Sequence, residues 1–222
     1  MFIIAARLSA TPAGRRVRAA RIGHVAAEGA RLAFYVGLPY TALLSGAFSP
    51  RGVGLHGTLA PDLILGWTAE TWARALGQAI ALGGLTLAAL AALVGQARRA
   101  GGDAPSALGV DHAPIARSIR EAAYAEAHWS FYRALPMALQ VGAHWAALTS
   151  LALAAAETLL AGQRVDRLRP FEALLAGLSA TFFALSGGNV WVALALHLGV
   201  RVTVTRMAYV GYDTESPDEI IV

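Results

Sequence analysis

Seven charged or imidazole side chains, Arg117, Arg120, Glu121, Glu126, His128, Arg133 and His144, fall within residues 115–144 of an otherwise oily sequence. Such groups are expensive in a segment surrounded by lipid, so they face a bundle interior and become the first candidates for function. Imidazole nitrogens suit Zn and similar divalent metals, and a carboxylate beside the ion can complete a site that activates water. The chain has no cysteine, which excludes disulfides, thiolate ligands and a cysteine nucleophile. Any metal must therefore be held by His and carboxylate.

The elements that would position these groups read as membrane helices. Of 222 residues, 56% are hydrophobic and 14% charged, where an ordinary soluble domain carries about a quarter charged residues. All 18 basic residues are arginine, against 14 acidic ones. They fall mostly between apolar blocks, where they mark membrane sides and do not form a nucleic-acid surface. The fold class expected is all-α, a polytopic transmembrane helix bundle of about six spans with both termini cytoplasmic, in the plasma membrane.

The boundaries expected are a basic cytoplasmic segment over 1–31, a bundle over 32–209 and an acidic tail over 210–222. In the first segment, Arg7, Arg15, Arg16, Arg18 and Arg21 follow a short apolar start, the reverse of a signal peptide. Spans are expected at 32–48, 76–94, 115–135, 136–160, 171–185 and 190–207, with a loop over 49–66 that carries His56. Residues 76–94 have no charge, and nineteen helical residues cover about 28 Å, close to the hydrocarbon thickness. Pro114 is expected to open the helix over 115–135, and Pro136 to turn the chain or to start the next helix. Five spans, with 115–135 lying flat in the interface, would separate Arg98 and Arg99 from Arg164, Arg167 and Arg169. Six spans collect these arginines, the N-terminal cluster and Arg206 on one side, as the positive-inside pattern requires.

On that layout three histidines share a depth. His128 and His144 each lie eight residues from Pro136, and His197 lies eight from Asn189. That places all three about 12 Å below the non-cytoplasmic face. A shared metal site of His128, His144 and His197 is the expectation, against the plainer alternative of separate interhelical hydrogen bonds. Helix phase divides the charged helix. Glu126, Trp129 and Arg133 share one face, while Glu121, Tyr124, His128 and Tyr132 share nearly the opposite one. Arg133 is expected to pair with Glu126 or Glu157.

The segment EAHWSFYR, and much later FEALLAGLSATFFALSGGNVWVALALHLGV, resemble the CPBP family, the CAAX-protease and bacteriocin-processing (Abi-type) intramembrane proteases. The similarity covers about residues 115–205. The resemblance implies a helical membrane bundle and an intramembrane endopeptidase, in which a glutamate and two histidines activate water, with metal involvement. It implies Glu126, Arg133 and His197 as the catalytic set and a membrane-protein substrate. Aligned on Arg133, the family's paired-glutamate positions hold His128 and Trp129, and its third-motif Asn or Asp is replaced by Arg201. A non-proteolytic member is the other outcome the resemblance allows.

A second class of function is binding. His128, His144 and His197 are also candidate axial ligands for a tetrapyrrole of haem or chlorophyll type, since Gln140 and Ala193 each sit one turn from a histidine. The chain would then be a non-catalytic subunit, structural or pigment-bearing, within a larger membrane complex. Gly83 and Gly84 read as packing glycines, and Thr149, Ser150 and Ser179 as interhelical hydrogen-bond partners.

Overall fold

The computed structural model describes residues 21–55, 63–102, 114–160 and 170–209. The N-terminal arginines up to Arg18, His56, the loop arginines Arg164, Arg167 and Arg169, and the acidic tail lie outside these. Among the described residues the regular structure is helical, apart from one isolated bridge between Ile64 and Trp67.

The first helix has three parts. These are α1 (Arg21–Leu32), a π-helical turn (Ala33–Gly37) and α2 (Leu38–Leu44). The Leu38 N–H donates to the Ala33 carbonyl, five residues back. The wider turn directly precedes Pro39, which has no N–H and whose ring would press on the preceding turn of a regular helix. The expected loop follows. It contains a 3-10 turn, Pro50–Val53, capped by Ser49, whose hydroxyl accepts from the Gly52 N–H at 3.2 Å.

Helix α3 (Ala69–Arg99) extends well beyond the charge-free core of residues 76–94. Thr68 caps its start by accepting from the Thr71 N–H. At its end the Gly102 N–H reaches the Ala97 carbonyl and Gly101 takes φ +71°, a left-handed closure that suits glycine. Helix α4 (Ile115–Ala138) begins after Pro114, which stands at the N-cap, one position earlier than expected. It does not stop at Pro136. That proline lies inside the last turn, the Val141 N–H bonds to its carbonyl, and Gln140 takes φ 59° to end the helix. Helix α5 (Ala143–Leu160) therefore starts seven positions later than expected. Helices α6 (Pro170–Ser186) and α7 (Val190–Tyr209) lie close to the expected limits, joined by a turn with Gly187 and Gly188 at φ +69° and +92°.

Helices α4 and α7 are central: α4 packs on α5, α7 and the first helix, and α7 packs on α3, α4 and α6. Gly83 on α3 allows the close approach to α7, since a Cβ there would meet Leu196 at 2.9 Å. At one end of the bundle the Arg98 guanidinium donates to the Met207 carbonyl. At the other, the Val190 N–H donates to the Gly54 carbonyl at 3.2 Å, and Gly54, at φ +78°, leaves no room for a side chain beside Gly188. The 3-10 turn also lies on α4, with Gly52 against Ala134. The loop over 49–55 is thus a packed lid on one end of the bundle.

Two helices, Ala69–Arg99 and Val190–Met207 within α7, are long and apolar enough to cross a membrane, and Pro170–Ser186 is a shorter apolar helix. Beside an apolar core that includes Leu90, Leu175, Phe182 and Val204, the bundle buries several polar side chains and leaves large apolar ones exposed. Ile80, Leu85, Leu139, Trp145 and Leu148 are exposed, while Glu126, His128, Ser130, Arg133, Ser179 and His197 are buried.

Candidate functional site

The carboxylate of Glu126 is the hub of the buried polar centre. Its Oε1 lies 3.0 Å from His197 Nδ1. Its Oε2 accepts from the Ser179 hydroxyl at 2.8 Å and lies 3.5 Å from Arg133 Nη2. Arg133 also donates to Ser179 Oγ and Ser130 Oγ, each at 3.0 Å, and its guanidinium stands 4.9 Å above the Phe183 ring. Helical spacing explains the set. Glu126, Trp129, Ser130 and Arg133 recur every three or four residues and so line one stripe of α4. Ser179 comes from α6 and His197 from α7, the helices this stripe faces.

His197 has both ring nitrogens engaged. Arg201 Nε, one turn further along α7, lies 3.4 Å from His197 Nε2 and can only donate. Nε2 is then the acceptor, so Nδ1 carries the hydrogen and donates it to Glu126. Trp129 stacks on the imidazole with ring centroids 5.3 Å apart and 9° between planes. Arg201 continues outward to Glu172 Oε2 at 2.6 Å.

The structure thus brings Glu126, Arg133 and His197 together. It does not bring the three histidines together. His128 lies on the far stripe of α4, with Nε2 3.0 Å from Glu157 Oε2, which also accepts from the Tyr132 hydroxyl at 3.1 Å. Phe34, Tyr35 and Tyr132 enclose its ring at centroid distances of 4.9, 4.8 and 4.4 Å. His144 is exposed at the start of α5. The expected depth match fails because α4 runs through Pro136: the turn falls at 139–142, which lifts His144 to the bundle end and leaves His128 deep inside. Among the described residues no group of three or more His, Asp or Glu side chains converges as a metal site.

A metal of the kind the resemblance implies does not fit the Glu126–His197 pair as built. Both oxygens of Glu126 and both nitrogens of His197 already have protein partners. A tetrapyrrole fits neither buried histidine, since rings close over His128 and Trp129 and Arg201 cover His197.

Sequence reasoning missed Ser130 and Arg201 in the site and the bond between His128 and Glu157. The signal for Arg201 was present in its spacing, four residues from His197 on one helix face. Thr149 and Ser150, expected between helices, instead bond to the Trp145 and Ala147 carbonyls of their own helix. At the arginine-rich end, Arg31 on α1 pairs with Glu121 and Glu28, and Arg120 lies 3.5 Å from Glu28. No family model, curated protein or solved structure matches the chain.

Proposed function

We propose that this chain is a multi-pass protein of the plasma membrane with a bundle of the CPBP type, in which the Glu126–His197–Arg133 centre holds the helices together without cleaving peptides. The observation that carries the reading is the Glu126 Oε1–His197 Nδ1 contact of 3.0 Å, buried, with the second oxygen of Glu126 against Ser179 and Arg133 and the second nitrogen of His197 against Arg201. A general base must reach the proton it removes. Here the carboxylate and the imidazole reach only each other and their neighbours.

The membrane reading is supported by the large apolar side chains left exposed on the bundle and by its two long apolar helices. In the topology proposed, six spans put both termini and the Arg98–Arg99 end in the cytoplasm, with the 139–142 and 187–189 turns outside. The functional test uses purified protein in proteoliposomes with a panel of single-span peptide substrates, wild type against Glu126→Gln. The reading expects no cleavage that depends on Glu126. Cleavage by wild type that disappears in the variant would make the chain an intramembrane endopeptidase instead.

One observation favours a second reading, a pigment-binding subunit. His144 is exposed beside the exposed Trp145, so among the three candidate histidines it offers an open ring for an axial bond to a tetrapyrrole. A visible absorption spectrum of protein purified from its native membrane, for wild type and His144→Ala, decides this.

A further inference from the structure

Arg201 occupies an unusual place in the bundle. Its guanidinium lies between His197 Nε2, at 3.4 Å from Nε, and Glu172 Oε2, at 2.6 Å from Nη2, and sits 6.0 Å from the Phe171 ring centroid. Behind the imidazole, Glu126 fixes Nδ1. A carboxylate that orients one ring nitrogen so that the other faces a cation is the arrangement by which proteins present histidine to a divalent metal. Here the cation facing Nε2 belongs to the chain itself.

We infer that the Arg201 guanidinium is a tethered cation, standing where a divalent ion would bind between the His197 imidazole and the Glu172 carboxylate, and that it keeps this position closed. Three facts converge on it. The guanidinium makes one contact with a neutral nitrogen and one with a carboxylate, the two donor types a borderline metal accepts. The donors come from different helices, α7 and α6, held in place by the apolar contacts of Phe171, Leu175 and Val200. Exposure rises outward from His197 at 1% through Arg201 at 13% to Glu172 at 39%, so an ion and its waters could enter from the Glu172 side once the guanidinium is removed. With two protein donors, water supplies the remaining ligands and binding is weak compared with a four-ligand site. The inference uses the Glu126–His197 geometry of the proposed function but not its lack of proteolysis. Glu126-dependent peptide cleavage would overturn that reading and leave this one standing.

The test uses full-length protein in detergent or nanodiscs, titrated with Co2+ and followed by its visible absorption, with Zn2+ competition. Arg201→Ala, or Arg201→Met if the stem is needed over Phe171, is expected to bind one ion per chain at Co2+ concentrations where wild type binds none. Adding Glu172→Gln or His197→Asn to that variant should abolish binding, and adding Glu126→Gln should weaken it by about 10- to 100-fold. Equal binding by wild type, no binding by either Arg201 variant, or binding that survives both Glu172→Gln and His197→Asn overturns the inference. If both Arg201 variants unfold while Glu172→Gln stays folded, Arg201 is a structural pillar and the inference is equally overturned.

Discussion

Glu126 and His197 stand 71 positions apart in the chain and 3.0 Å apart in space, on neighbouring helices, each with 1% of its surface exposed. A carboxylate in so dry a place must be paired or neutralised. Arg133 supplies the opposite charge, while Ser179 and His197 supply hydrogen bonds. The centre is complete only when α4, α6 and α7 are all in register, which makes it a test of correct assembly as well as a stabilising contact.

Arg133 is the first place to measure that dependence. Removing one partner of a buried pair strands the other charge, at a cost of about 3–5 kcal/mol. Arg133→Leu should lower the thermal midpoint in detergent markedly. The double variant Arg133→Leu with Glu126→Leu should recover much of the loss, because no buried charge is then left alone. An unchanged midpoint for the single variant would mean that Arg133 finds the interface instead.

The pair on the far side of α4 should behave as a separate unit. His128, Tyr132 and Glu157 share one network, so His128→Ala and Glu157→Gln should be non-additive by about 0.5–3 kcal/mol. Either of them combined with Arg133→Leu should be close to additive, since no shared partner links the two networks. Strong coupling between the two faces would show that α4 moves as their common element.

Much of this arrangement was legible in the sequence, for physical reasons. Two residues of helix rotate a side chain by about 200°, so Glu126 and His128 had to face different neighbours, as they do. The stripe of Glu126, Trp129 and Arg133 followed from the same arithmetic. What failed was the placement of one turn. Pro136 reads as a helix end, yet in the last turn of α4 its missing N–H costs a single bond and its carbonyl still serves the capping turn. That shift of a few residues carried His144 out of the bundle. The lid formed by residues 49–55 was illegible for another reason: its contacts depend on glycines, at Gly52 and Gly54, whose meaning lies in what approaches them and not in any side chain.

Topology can be read with single cysteines, because the chain has none of its own. Gly101 and Gln140 lie at opposite ends of the bundle, after α3 and after α4. Cysteines there should react with an impermeant reagent from opposite sides of sealed vesicles, and cysteines at Ala13 and Gln163 from the Gly101 side. Labelling of Gly101 and Gln140 positions from one side would place α4 along the interface and end the six-span proposal.

The central claim is that Glu126 and His197 act directly on each other inside the bundle. A double-mutant cycle in lipid, with Glu126→Gln, His197→Ala and the pair, measures this from unfolding free energies. The account predicts a coupling of about 1 kcal/mol or more, with the double variant little worse than the poorer single one. Effects that simply add would contradict it, because two side chains that do not touch have no reason to lose the same interaction.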